Sequence, residues 1–170
     1  MRIAEGYILE FDAEMANTRR MLELVPEGNL DYTPHPKSMS LGRLAGHIAE
    51  MAQWGTVTAE QDSFDVSPAG GPASEPYCAT DRHSLLEFFD KSAASARAAI
   101  LDLSDEAMTK PWTLYRAGAE LFKMPRIAVL SSMILSHIIH HRAQLGLYLR
   151  MNDIPIPGMY GPSADDAPPG

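Results

Sequence analysis

Ile3, Tyr7, Phe11, Met15, Thr18, Leu22 and Val25 follow one another at steps of three and four residues. That spacing sets them on one side of an α-helix and predicts an amphipathic helix over about Ile3 to Leu24, ended by Pro26 and Gly28. The pattern returns three times. Leu41, Leu44, His47, Ile48, Met51 and Trp54 mark a second helix from about Leu41 to Glu60. Its connector holds Pro34 and Pro36, and Ser38 or Ser40 supplies the N-cap oxygen. Leu85, Phe88, Phe89, Ala96 and Ile100 mark a third helix, capped by Thr80 or Asp81 and reaching about Leu103. Pro125 suits the first position of a last helix, where its missing N–H costs nothing, and that helix runs to about Met151 before Asn152 stops it. Four helices of about twenty residues, each with one apolar stripe, can bury those stripes only against one another. The expected fold is all-α: a four-helix bundle forming a single domain over residues 1–170.

The pieces between the helices are shorter. Asp62 to Ala79 is rich in Ser, Pro and Gly and reads as a loop. Ser104 starts a short turn and Pro111 breaks the helical pattern. Trp112, Leu114, Gly118, Leu121 and Phe122 suit a small irregular or hairpin insertion before the last helix. The tail carries Pro155, Pro157, Pro162, Pro168 and Pro169 and is expected to lie extended along the surface.

Charge and composition remove several classes of function. The chain has 22 acidic and 14 basic side chains among 170 residues, for a net charge of −8. Such a surface repels phosphate backbones and anionic lipid heads, so no nucleic-acid or membrane partner is expected. No apolar run approaches the roughly 20 residues of a membrane span, and the acidic N-terminus has no cleavage signal, which makes a cytoplasmic location the default. The single cysteine, Cys78, rules out an intramolecular disulfide. Without a basic neighbour close in sequence to lower its pKa, it reads as an inert loop thiol rather than a nucleophile.

The histidines carry the chemistry. His137 and His141, in SHIIHHRAQL, lie four apart and can aim a ring nitrogen each at one point. Zinc proteases use that spacing with Glu after the first His, but Ile138 stands there, so that class is set aside. Both rings fall on the inward stripe formed by Ile127, Leu130, Ile134, Ile138, Leu145 and Tyr148, and His47 falls on that of the second helix. Buried imidazoles are costly unless their nitrogens are bonded. One cation shared by all three is a simpler account than three core histidines each bonded separately to carbonyls or water. No glutamate is followed three residues later by histidine, so a di-iron carboxylate bundle is excluded and the site is mononuclear.

Other residues stay open to two readings. His140, about 60° around the helix from His137, sits at the rim or at the boundary. His35 and His83 read as surface residues. Glu50, one turn from His47, orients a ligand, takes a proton, or is a solvated carboxylate on the helix flank. Gln144 and Trp54 either line the pocket or pack as core and support.

SMSLGRLAGHIAEM in the second helix, SHIIHHRAQLGLYLR in the last and the closing IPIPGMYGP resemble the DinB-like proteins, metal-dependent four-helix bundles of bacteria. The likeness spans nearly the whole chain. It implies an up-down-down-up helix order, a homodimer, and ligand roles for His47, His137 and His141, with none missing. It also implies a small-molecule substrate: some relatives are thiol-dependent transferases or isomerases, and others resemble hydrolases.

Three neutral imidazoles leave the charge of one divalent transition metal uncompensated and a coordination position open, as in catalytic zinc sites. Imidazole suits zinc or nickel first, with iron and copper also compatible. The expected function is a metal-dependent enzyme of the thiol S-transferase type, joining a low-molecular-weight thiol to a small electrophile. The alternatives are a hydrolase using bound hydroxide and a non-enzymatic module that binds or senses metal.

Overall fold

Side-chain caps fix where two of the long helices begin. The structure, a computed structural model, describes residues 1–71 and 76–166. Helix α1 spans Ile3–Leu22, α2 Leu41–Glu60 and α3 Arg82–Leu101. Ser40 accepts from the Arg43 N–H to open α2, and Asp81 accepts from the Ser84 N–H to open α3. Ser104 caps a one-turn helix, α4, over Asp105–Thr109.

The last helix is assembled in three pieces. A short turn, α5 (Arg126–Ala128), leads into a π-helical segment over Val129–Leu135, and α6 (Ser136–Arg150) completes it. Pro125 is the residue before the first turn rather than its first member. The expected unbroken α-helix thus contains wider turns, which change the phase of the residues that follow.

Helix α1 packs on α3, α3 on α2, α2 on α6 and α6 on α1, closing a ring around the core. Side-chain pairs give the directions. Arg19 meets Asp90 while Asp12 meets Arg97, so α1 and α3 are antiparallel. The N–H of Ala79, just before α3, donates to Gly42, whereas Gly55 abuts Ala96 and Ile100. Helices α2 and α3 are therefore parallel. Tyr7 meets Leu130 and Thr18 meets Arg142, so α1 runs parallel to the last helix. Phe11, Leu22, Leu44, Ile48, Leu85, Phe89, Leu130 and Ile134 are fully buried between the four. Each such side chain is worth about 1.5–3 kcal/mol of burial.

The chain is mostly helical but not all-α, which corrects the sequence reading. Strands β1 (Ser63–Asp65), β2 (Pro111–Arg116) and β3 (Ala119–Pro125) form one sheet in that order. The hairpin β2–β3 is the expected insertion, closed through Ala117 and Gly118 with φ of 50° and 78°. The unexpected strand is β1, inside the segment read as loop; it pairs in parallel with β2, Phe64 opposite Leu114. Asp65 holds the arrangement by accepting from the N–H groups of Ser67, Ala117 and Gly118, which keeps its carboxyl below the usual range.

Two buried guanidinium groups complete the frame. Arg126 donates to the carbonyls of Thr58, Gln61 and Ala107 and to Asp62, tying the end of α2 to α4 and β1. Arg142 donates to the Glu14 carbonyl and Thr18 hydroxyl and forms a 2.6 Å ion pair with the Glu14 carboxylate. The tail does more than lie along the surface: Ile154, Ile156 and Met159 pack on the core, and the Tyr160 hydroxyl donates to Glu14. Pro168 and Pro169 lie outside the described residues. Among the described residues, no helix is long and apolar enough to cross a membrane.

Candidate metal centre

Helix α2 presents His47 toward α6, which presents His137 and His141 from successive turns. The three rings meet. Nε2 of His47 is 3.4 Å from Nε2 of His137, which is 2.8 Å from Nε2 of His141. One ligand nitrogen from each lies within 4.8 Å of the others, a group that could hold a metal ion. Two nitrogens bound tetrahedrally to zinc at about 2.0–2.1 Å stand about 3.3 Å apart. The first pair matches that separation, and the second reaches it by opening about half an ångström.

The far side of each ring decides what the converging nitrogens carry. Nδ1 of His141 is 2.7 Å from the amide oxygen of Gln144, so the proton sits on Nδ1 and Nε2 offers a lone pair. That lone pair faces Nε2 of His137 across 2.8 Å. A cation between the two rings would be bonded by both nitrogens.

His47 is less firmly held. Its buried Nδ1 has no hydrogen bond among the described residues, and Oε2 of Glu50 stands 3.6 Å away, beyond hydrogen-bond reach.

Burial holds all three rings in the neutral form that a metal requires. It lowers the pKa of His141 to about 4 against the help of Gln144, and it lowers those of His137 and His47, the latter also repelled by Arg43. His141 is buried, while His47 and His137 are half-buried, so the site lies at the edge of the core.

Glu50 is tied to its surroundings rather than free in solvent. Its Oε2 accepts from Nη1 of Arg43 at 2.9 Å, and its Oε1 accepts from the Tyr77 N–H. Nη1 of Arg43 also donates to the Tyr77 carbonyl. This clamp draws the chain at Tyr77 onto α2, where a Cβ at Gly46 would collide with the Tyr77 carbonyl oxygen. Trp54 lies two turns past His47 and packs edge-on against Phe64 of β1, ring centres 5.3 Å apart. His140 is exposed at the rim, its ring 4.9 Å from that of His141. His35 and His83 are exposed, as is the free thiol of Cys78.

Arg43 and Tyr77 were absent from the sequence reading of the site. Arg43 carried a signal, since it is one turn before His47 and seven residues before Glu50. Tyr77 carried none, because its contribution is a backbone group.

Comparison with known proteins agrees with this architecture. The profile of the DinB superfamily matches residues 10–145, most of the chain. The chain belongs to the DinB superfamily. A Bacillus subtilis protein described as "Uncharacterized protein YrdA" is 24% identical over 164 residues, covering 92% of this chain and 86% of that protein. A crystal structure of a DinB-like protein from Bacillus cereus superposes with a TM-score of 0.69 at 21% identity, covering 92% of this chain and 97% of that one. The DinB-like protein YjoA of Bacillus subtilis gives 0.64 at 19% identity, covering 88% and 94%. At such identities the two structures speak for the fold.

Proposed function

We infer that His47, His137 and His141 bind one divalent transition metal, zinc or nickel in the first instance, and that the site works on small molecules. The observation that carries this is the arrangement of His137 and His141. The outer nitrogen of His141 is committed to Gln144, so its inner lone pair faces Nε2 of His137 across 2.8 Å. The donor set fits: neutral imidazoles, half-buried to buried, with one nitrogen pair at the tetrahedral spacing and the other about half an ångström short of it.

A metal held there by three neutral ligands would keep its full charge and would supply a Lewis acid that lowers the pKa of a bound thiol or water. The reading favoured for this superfamily member is S-transfer from a low-molecular-weight thiol to a small electrophile. The thiol loses its proton to solvent, a sulfur–carbon bond forms, and the leaving group departs with its electron pair. The chain's own contributions are positional. Gln144 keeps the His141 ring turned inward, and the Arg43–Glu50–Tyr77 clamp fixes the wall beside His47.

Cobalt-substituted protein tests the reading. Titration with a panel of small thiols is expected to produce a sulfur-to-cobalt charge-transfer band that saturates. A cobalt spectrum indifferent to every thiol refutes S-transfer.

A further inference from the structure

Arg43, His47, Glu50, Trp54 and Val57 recur at steps of four and three, so they form one stripe along α2. The stripe is polar at its start and apolar at its end, with His47 between. Strand β1 and the residue after it, Phe64 and Val66, lie over the apolar end, with Phe64 edge-on to Trp54. Two clefts open along this stripe. One, of about 190 Å³, is lined by Arg43, His47, Glu50, Trp54, Val66 and Pro76. The other, of about 210 Å³, is walled by Trp54, Val57, Phe64 and Val66 with Gln53 at its edge, and shares Trp54 and Val66 with the first.

We propose that these clefts form one substrate channel that selects a small amphipathic molecule: an anionic or thiolate head at the His47 end joined to an aromatic or bulky aliphatic arm in the cleft beside the Trp54–Phe64 pair. The proposal rests on the metal reading above. The charge of Arg43 is already matched by Glu50, so the charge that attracts the head is that of the metal held by neutral imidazoles. The arm is set by the walls. An apolar cavity of about 150 Å³ admits benzene, so the second cleft has room for a phenyl ring. Aromatic rings also favour the edge-to-face arrangement that Trp54 and Phe64 already adopt. Trp54 is seven residues past His47, about 10 Å along the helix, so head and arm must be separated by a short linker. The sheet thus acquires a purpose: without β1 the apolar half of the stripe would face solvent.

Calorimetric titration of metal-loaded protein with butyrate and with 4-phenylbutyrate tests the channel. The two acids share a head and a linker and differ by the ring. The phenyl acid is expected to bind at least tenfold more tightly. Trp54→Ala and Phe64→Ala are each expected to erase most of that gain, with metal content and butyrate affinity preserved. Equal affinity of the two acids for the wild type, or a gain that survives in both variants, overturns the channel. Should Trp54→Ala fail to fold, the wild type and Phe64→Ala decide. Metal content measured on the same samples separates the failures: a protein without metal loses the metal reading and the channel together, whereas a loaded protein without the ring preference loses the channel alone.

Discussion

The amide oxygen of Gln144 stands 2.7 Å from Nδ1 of His141, one turn along the same helix. That contact fixes which nitrogen of the ring carries the proton and turns the other toward His137. Partners of this kind are worth about 10–100-fold in metal affinity. Gln144→Ala is therefore expected to weaken metal binding by about that factor while the stoichiometry at saturating metal stays at one. Competition with a chromogenic chelator measures it; unchanged affinity would mean that the contact only packs.

Protonation competes with the metal for the same nitrogens. In the metal-free protein the pKa of His141 is depressed to about 4, and those of His47 and His137 are also lowered, chiefly by burial. The unfolded chain, with histidines near 6.5, then binds more protons than the folded one between about pH 6.5 and 4. Stability from these groups is fully present above 6.5 and is lost as pH falls through that window. Urea midpoints of metal-free protein are expected to drop from pH 7 to pH 5, and by less in His141→Ala. A flat profile contradicts the neutral assignment.

Glu14 and Arg142 form a buried ion pair between α1 and α6, closed over by Tyr160. Removing one partner leaves the other charge without compensation, which costs about 3–5 kcal/mol. Arg142→Ala is expected to lower the unfolding free energy by that amount. The double variant Glu14→Leu with Arg142→Met is expected to lose less than Arg142→Ala alone. A double variant as unstable as the sum of the singles argues against the pairing.

The close approach of Gly46 to the Tyr77 carbonyl leaves no room for a methyl group. Gly46→Ala must push the Tyr77 chain off α2, and overpacking of this kind costs about 1–3 kcal/mol. Thermal unfolding and proteolysis of the segment near Tyr77 are expected to show the change together. A neutral substitution would show that the clamp is loose.

Local signals made most of the helical frame legible. The bounds of α2, Leu41–Glu60, agree with the sequence reading, because an N-cap serine and a long apolar stripe are both local. The three histidines were legible for the same reason: each broke an apolar stripe with a costly polar ring. What escaped was non-local. Strand β1 has only three residues and is ordered by pairing with a hairpin about fifty positions away. The π segment owes nothing to a breaker residue, since Val129–Leu135 carries neither proline nor glycine.

Glu14 and Arg142 could have been found. Each stands on the inward side of its helix, Glu14 seven residues after Tyr7 and Arg142 four after Ile138. A lone carboxylate and a lone guanidinium on two facing apolar stripes imply each other by the same reasoning that joined the histidines.

Metal content tests the central claim most directly. Protein prepared without a histidine tag, saturated with zinc or nickel and desalted, would be measured by mass spectrometry beside His137→Ala. About one equivalent in the wild type and a large loss in the variant is the expected result. No bound metal in either protein, or an equal amount in both, would contradict the assignment of His47, His137 and His141 as one metal centre.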